Sequence, residues 1–184
     1  MTESFAKFLL RIGGWERVGE IAPEKHVILL EAPHTSIWDF WIGYLYCRSI
    51  GDKPRVMIKK ESFFFPVKYI LKAMGGFPMD RLHPAATIHG IVREMQESDK
   101  PFHLVICPEG TRAAVHKWKT GYHTIATQAG LPVYITFVDW GHKRVGIWGK
   151  APLTGHARED TDNIQQIYKS LNLIGKHPEK YLTE

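Results

Sequence analysis

Residues 26–49 read HVILLEAPHTSIWDFWIGYLYCRS, and this stretch decides the fold. The short apolar run HVILLEA has the character of a strand, and SIWDFWIGYLYCRS has the length and pattern of a helix. The same alternation continues downstream. RVMIK, FPMD, HLVICP, PVYITFVDW and RVGIWG read as strands, separated by the helical stretches FPVKYILKAM, PAATIHGIVREMQES and GYHTIATQAG and followed by TDNIQQIYKSLNLI. Strands separated by helices predict a single α/β domain with a mixed, mostly parallel sheet flanked by helices, its closing pair VYITFVDW and RVGIWG antiparallel.

Upstream, Phe5, Phe8, Leu9, Ile12 and Trp15 recur at spacings of three or four among Lys7, Arg11 and Arg17, ahead of a Gly-Gly break. Residues 1–20 are thus expected to form an amphipathic helix with basic flanks, and residues 21–184 the domain proper. Such a helix more often packs on its own domain than on lipid. The last residues, KHPEKYLTE, read as a polar tail.

The chain has 184 residues, 44% hydrophobic and 23% charged, which excludes disordered and fibrous classes and fits one hydrophobic core. A net charge of +5 suits an anionic partner: a phosphate ester, a coenzyme, an acidic carrier protein or an anionic lipid surface. The Lys and Arg are scattered and no nucleic-acid-binding motif occurs, so nucleic acid is not an expected partner. Cys47 and Cys107, without a CxxC partner and in apolar surroundings, read as free thiols in a reducing compartment. No secretory leader or membrane-spanning run is evident, which predicts a cytoplasmic protein able to lie on a membrane.

Ligands of such sheets gather at the carboxyl ends of the strands, so four loops carry the candidate chemistry. In the first, His34 and Asp39 are five residues apart. Were both helical, their side chains would point about 140° apart. They meet only if His34 precedes the helix, with Thr35 or Ser36 as its cap and Asp39 in its first turn. An imidazole oriented by a carboxylate activates a hydroxyl near neutral pH. The plain alternative is that Asp39 only complements the helix end.

In the second loop, Lys59 and Lys60 can hold a phosphate or be solvated surface, and at least two of Phe63, Phe64 and Phe65 are expected in the core. The third, Gly75 to Arg81, delivers Arg81 as an anion ligand or as the partner of Asp80. The fourth, Pro108-Glu109-Gly110-Thr111-Arg112, places Arg112 to grip a phosphate in bidentate fashion, with Glu109 accepting from a substrate hydroxyl or orienting an arginine. Lys117 and Lys119 extend the positive region. No ligand spacing for a metal and no nucleotide-binding glycine loop is present, so neither a metal nor ATP or NAD is expected.

Taken in order, His34-x4-Asp39, Gly75-Gly76-Phe77-Pro78-Met79-Asp80-Arg81, Pro108-Glu109-Gly110-Thr111-Arg112 and Gly130-Leu131-Pro132-Val133-Tyr134-Ile135 resemble the four blocks of the glycerolipid acyltransferase family, typified by 1-acyl-glycerol-3-phosphate acyltransferase. The resemblance implies a glycerol-phosphate acyltransferase-like fold, His34 as general base and Asp39 as its orienting partner. It also implies an acceptor-phosphate site at Arg81, Glu109, Gly110, Thr111 and Arg112, joined by Lys59 and Lys60, with Pro132 and Val133 on the acyl-donor side. It implies no cofactor, an acyl thioester of coenzyme A or acyl carrier protein as co-substrate, and a lysolipid acceptor. Two departures stand out: Pro33 occupies a position often held by Asn, and only about twenty residues precede the core where many members carry a membrane-embedded segment. The second favours a peripheral enzyme on the inner face of the membrane. A lyso-aminolipid acceptor, or a non-catalytic lipid-binding role, are the alternatives.

Overall fold

The computed structural model describes residues 1–80 and 82–181. Seven strands form one sheet: β1 (Glu16–Val18), β2 (His26–Glu31), β3 (Arg55–Lys59), β4 (Gly76–Met79), β5 (Phe102–Ile106), β6 (Val133–Asp139) and β7 (Arg144–Lys150). Their order is β1-β7-β6-β2-β5-β3-β4, every pairing parallel except β6 with β7. The expected α/β class and the antiparallel closing pair are both present.

Six helices pack around this sheet among the described residues: α1 (Glu3–Ile12), α2 (Ile37–Ser49), α3 (Val67–Ala73), α4 (Pro84–Glu97), α5 (Gly121–Ala129) and α6 (Ala157–Ser170). Central strand β2 shows why its run is apolar. Val27 and Leu29 face one layer with Leu10, Tyr46 and Cys47 of α1 and α2, while Ile28 and Leu30 face the other with residues of α4, α5 and α6. Strand side chains alternate between faces, so a strand covered on both sides must be hydrophobic throughout.

Three local expectations change. Strand β1 has no counterpart in the sequence reading; three residues with one apolar side chain carry too little periodicity, yet they add a parallel edge to β7. Helix α6 begins at Ala157 rather than Thr161, because Asp160 accepts the backbone N–H groups of Thr154 and Gly155 and so closes the first turn. Of the three consecutive phenylalanines only Phe63 is half-buried; Phe64 and Phe65 are exposed, since this segment lies beyond β3, near the edge of the sheet.

The apolar stripe of α1 is also turned outward. Ala6 and Leu10 pack inward, while Phe5, Phe8 and Ile12 are each more than half exposed. Ala6 has no bulk to hold the helices apart, which lets α1 lie close on α2. The polar tail is partly structural: Tyr181 packs against the main core.

Candidate active site

α2 leaves β2 toward one face of the sheet, and α5, which follows β5, packs on the other. Because β2 and β5 are neighbours, their carboxyl ends lie side by side at the point where the winding reverses, the position at which open α/β sheets gather ligands. His34 follows β2, and Glu109 follows β5.

The β2–α2 loop is tightly fixed. Beyond a cis Ala32–Pro33 bond, the His34 backbone N–H donates to both carboxylate oxygens of Glu109, at 3.0 and 3.1 Å. Ser36 caps α2, its hydroxyl oxygen accepting the Trp38 N–H. Asp39, fully buried, accepts the N–H groups of Thr35 and Ser36 on Oδ2, both at 2.8 Å, and the Trp140 indole N–H on Oδ1 at 2.7 Å. His34 therefore stands just ahead of the helix, as the five-residue spacing requires. Its Nδ1 lies 3.4 Å from Asp39 Oδ2. That is an ion-pair distance without hydrogen-bond alignment, and Nδ1 is buried without a hydrogen-bond partner among the described residues. The His34 side chain is 21% exposed, which leaves the ring reachable from solvent.

Acidic groups crowd this spot. Burial pushes the Glu31 carboxyl up to about 8, reinforced by the negative charges of Asp39 and Glu109. Glu109 is also pushed up to about 8 by burial, against the opposing His34 N–H bond. Burial raises the Cys107 thiol well above its ordinary value. Both cysteines are free thiols, Cys47 buried and Cys107 half-buried.

The fold places the other predicted residues as follows. Glu109 is buried and commits its oxygens to the His34 amide, so it shapes the β2–α2 loop from beneath. Gly110 turns the chain with φ of +68°, a conformation side chains disfavour. The Thr111 hydroxyl oxygen accepts the Ala113 N–H. Arg112 is exposed and has no acidic partner among the described residues, which leaves its guanidinium available to an anion. At the end of β3, Lys59 is exposed, and Lys60 is paired with Asp80 at 2.9 Å. Arg81 lies outside the described residues. Trp118, between Lys117 and Lys119, is core and stacks edge-on with Tyr168.

Pro132 and Val133 lie elsewhere. Val133 opens β6 in register with Ile28, and the Pro132 carbonyl accepts the Ile28 N–H. Both stand at the amino end of the sheet, about 10 Å back along the strand from Glu31. Val133 is fully buried in the core. The fold does not bring this pair together with His34.

Sequence reasoning missed four contributors. Trp140 reaches Asp39 from the end of β6. Lys176 stacks its ammonium over the rings of Trp38 and Trp140, at 5.0 and 4.4 Å. The His177 N–H donates to Thr35 Oγ1 at 3.2 Å. Glu31 ends β2 directly below the loop. The one sequence signal for these was the pairing of an acidic residue with an otherwise apolar strand at Glu31.

An imidazole beside a buried carboxylate at the carboxyl ends of parallel strands has the chemistry of a general base, and the comparisons give the class of protein. A family model described as Acyltransferase matches residues 16–137, more than half of the chain. The chain belongs to that family and is an acyltransferase. Among solved structures it is similar to the 1-acyl-sn-glycerophosphate (LPA) acyltransferase PlsC from Thermotoga maritima, with a TM-score of 0.61 and 15% identity over 91% of this chain and 75% of that one. At that identity the likeness is one of fold. No curated protein sequence matches the chain.

Proposed function

We propose that the protein transfers a fatty acyl group from a thioester of coenzyme A or acyl carrier protein to a hydroxyl of a lysophospholipid such as 1-acyl-glycerol-3-phosphate. His34, oriented by Asp39, takes the proton of the acceptor hydroxyl as its oxygen attacks the thioester carbonyl; the oxyanion is met by N–H donors, and collapse releases the thiol. The observation that carries this reading is the unsatisfied His34 ring, 3.4 Å from an immobilised Asp39 and open to solvent at the strand ends. Arg112, with Lys59, Lys60 and Arg81, supplies the acceptor's phosphate site. Fixing that phosphate places the hydroxyl against the base, an orientation effect that lowers barriers by several kcal/mol, on the order of 7 in favourable cases.

The acceptor reading is supported by Arg112, which is without an acidic partner among the described residues, and by the fold shared with a lysophosphatidate acyltransferase. Peripheral attachment to the inner membrane face is supported by α1, whose exposed Phe5, Phe8 and Ile12 accompany Lys7 and Arg11. Among the described residues no helix is long and apolar enough to cross a membrane.

The deciding experiment follows free thiol released from acyl donor with lysophosphatidate and a lyso-aminolipid supplied in parallel. Release dependent on lysophosphatidate is expected. Release with the lyso-aminolipid alone transfers the assignment to that acceptor. Vesicle binding with background thiol release from both leaves a lipid-binding protein.

A further inference from the structure

Directly beneath the proposed base, the fold gathers three different metal-binding side chains that are scattered in sequence. Ligand atoms of Glu31, His34 and Cys107 lie within 4.8 Å of one another. Parallel pairing of β2 with β5 produces this: Glu31 ends one strand, Cys107 follows the next, and the turn after Glu31 brings His34 back over both.

A second, independent observation marks the cluster as made for an occupant. Glu31 is 7% exposed, and its carboxylate has neither a hydrogen bond nor a cation among the described residues. A buried carboxyl without a hydrogen-bond partner is costly, and native structures rarely leave one so. The helix opposite makes room for it: a Cβ at Gly43 of α2 would lie 2.5 Å from Glu31 Oε2. Asp39 and Glu109 add further acidic oxygens nearby, while the Asp39 and Glu109 carboxylates already have N–H donors of their own. The group left without a counterpart is Glu31.

We propose that Glu31, His34 and Cys107 bind a zinc-class divalent cation, and that its occupancy inhibits the enzyme. One oxygen, one imidazole nitrogen and one thiolate form a mixed donor set suited to Zn²⁺, with a fourth position open to water. Zinc–ligand bonds of about 2.0–2.3 Å put tetrahedral ligands about 3.3–3.8 Å apart, so the cluster contracts by roughly 1 Å on binding. The Cys107 thiol, and the Glu31 carboxyl where it is protonated, give their protons to solvent as the sulfur–zinc and oxygen–zinc bonds form. The two anionic ligands then balance the charge of the ion.

Inhibition follows from the imidazole alone, and this part rests on His34 being the base. A neutral ring has one lone pair and one N–H. Whichever nitrogen holds zinc, the other keeps the ring proton, and no lone pair is left for the acceptor hydroxyl.

The test uses the full chain, freed of metal with a chelator, titrated with Co²⁺ and with Zn²⁺. The expected results are one equivalent bound, a thiolate-to-cobalt charge-transfer band in the near ultraviolet, and thiol release that falls with Zn²⁺ and returns with chelator. C107S loses the band but retains transfer without metal. C107S and E31Q each bind Zn²⁺ at least about tenfold more weakly. No charge-transfer band, or Zn²⁺ affinity unchanged in both variants, overturns the proposal, because the ion then sits on other histidines. The cobalt band needs no turnover. A protein that shows the band but transfers no acyl group refutes the assigned reaction and leaves the metal site standing.

Discussion

The two edges of the sheet each hold a histidine beside a carboxylate, and they use the pair in opposite ways. At the amino edge, His103 at the start of β5 has both ring nitrogens engaged, Nδ1 with Asp52 at 2.8 Å and Nε2 with the Glu24 carbonyl at 3.2 Å, and the residue is 3% exposed. At the carboxyl edge, His34 stands farther from Asp39, lacks a hydrogen bond at Nδ1 and meets solvent. A ring with every donor and acceptor occupied holds structure together. A ring with capacity to spare can take a proton from a substrate. Distance to a carboxylate alone would have chosen the wrong histidine, since the shorter contact belongs to the structural pair.

The contrast breaks most sharply at His34 itself. His34→Ala should lower thiol release by about 10²- to 10⁴-fold while leaving the melting temperature close to wild type. Retention of the wild-type rate would remove His34 from the chemistry. His103→Ala should do the reverse. It leaves buried Asp52 with only the Lys53 N–H and no cationic partner, costing about 3 kcal/mol in urea unfolding, with kcat/KM of the folded fraction unchanged.

Arg112→Ala tests the open edge at a smaller scale. Loss of a charge-assisted contact to the acceptor's phosphate should raise its KM about tenfold, and a matching fall in kcat would show that Arg112 also sets the attacking geometry. Unchanged values of both would take it out of the site. The smallest effect is a pH dependence of stability at the closed edge. Burial opposes the charged His103 ring, but the Asp52 hydrogen bond and charge outweigh it, so His103 titrates above its ordinary 6.5. The folded state then holds the proton more tightly than the unfolded one. This contribution is complete below pH 6.5 and is lost as pH rises through the folded value. Thermal melts should show that decline as pH is raised above 6.5, and Asp52→Asn should flatten it.

How much of this was legible depended on whether the deciding contacts were local. The β2–α2 unit was readable because its apolar run, the Ser36 cap and the first-turn Asp39 all act within a few residues. Helical spacing likewise grouped Phe5, Phe8 and Ile12 on one face of α1, but spacing cannot say which face meets the protein, and Ala6 with Leu10 took that place. Glu109 was correctly drawn to the strand mouth by its sequence position, while its bond to the His34 amide arises only from strand pairing. The convergence of Glu31 with Cys107 has the same origin. Trp140 and His177 depend on contacts 101 and 142 residues from their partners, which no local pattern encodes.

That last contact sets an order of events during synthesis. Thr35, next to the proposed base, receives a bond from a residue made 142 positions later. A growing chain on the ribosome thus cannot complete the bonds of its β2–α2 loop until His177 has emerged.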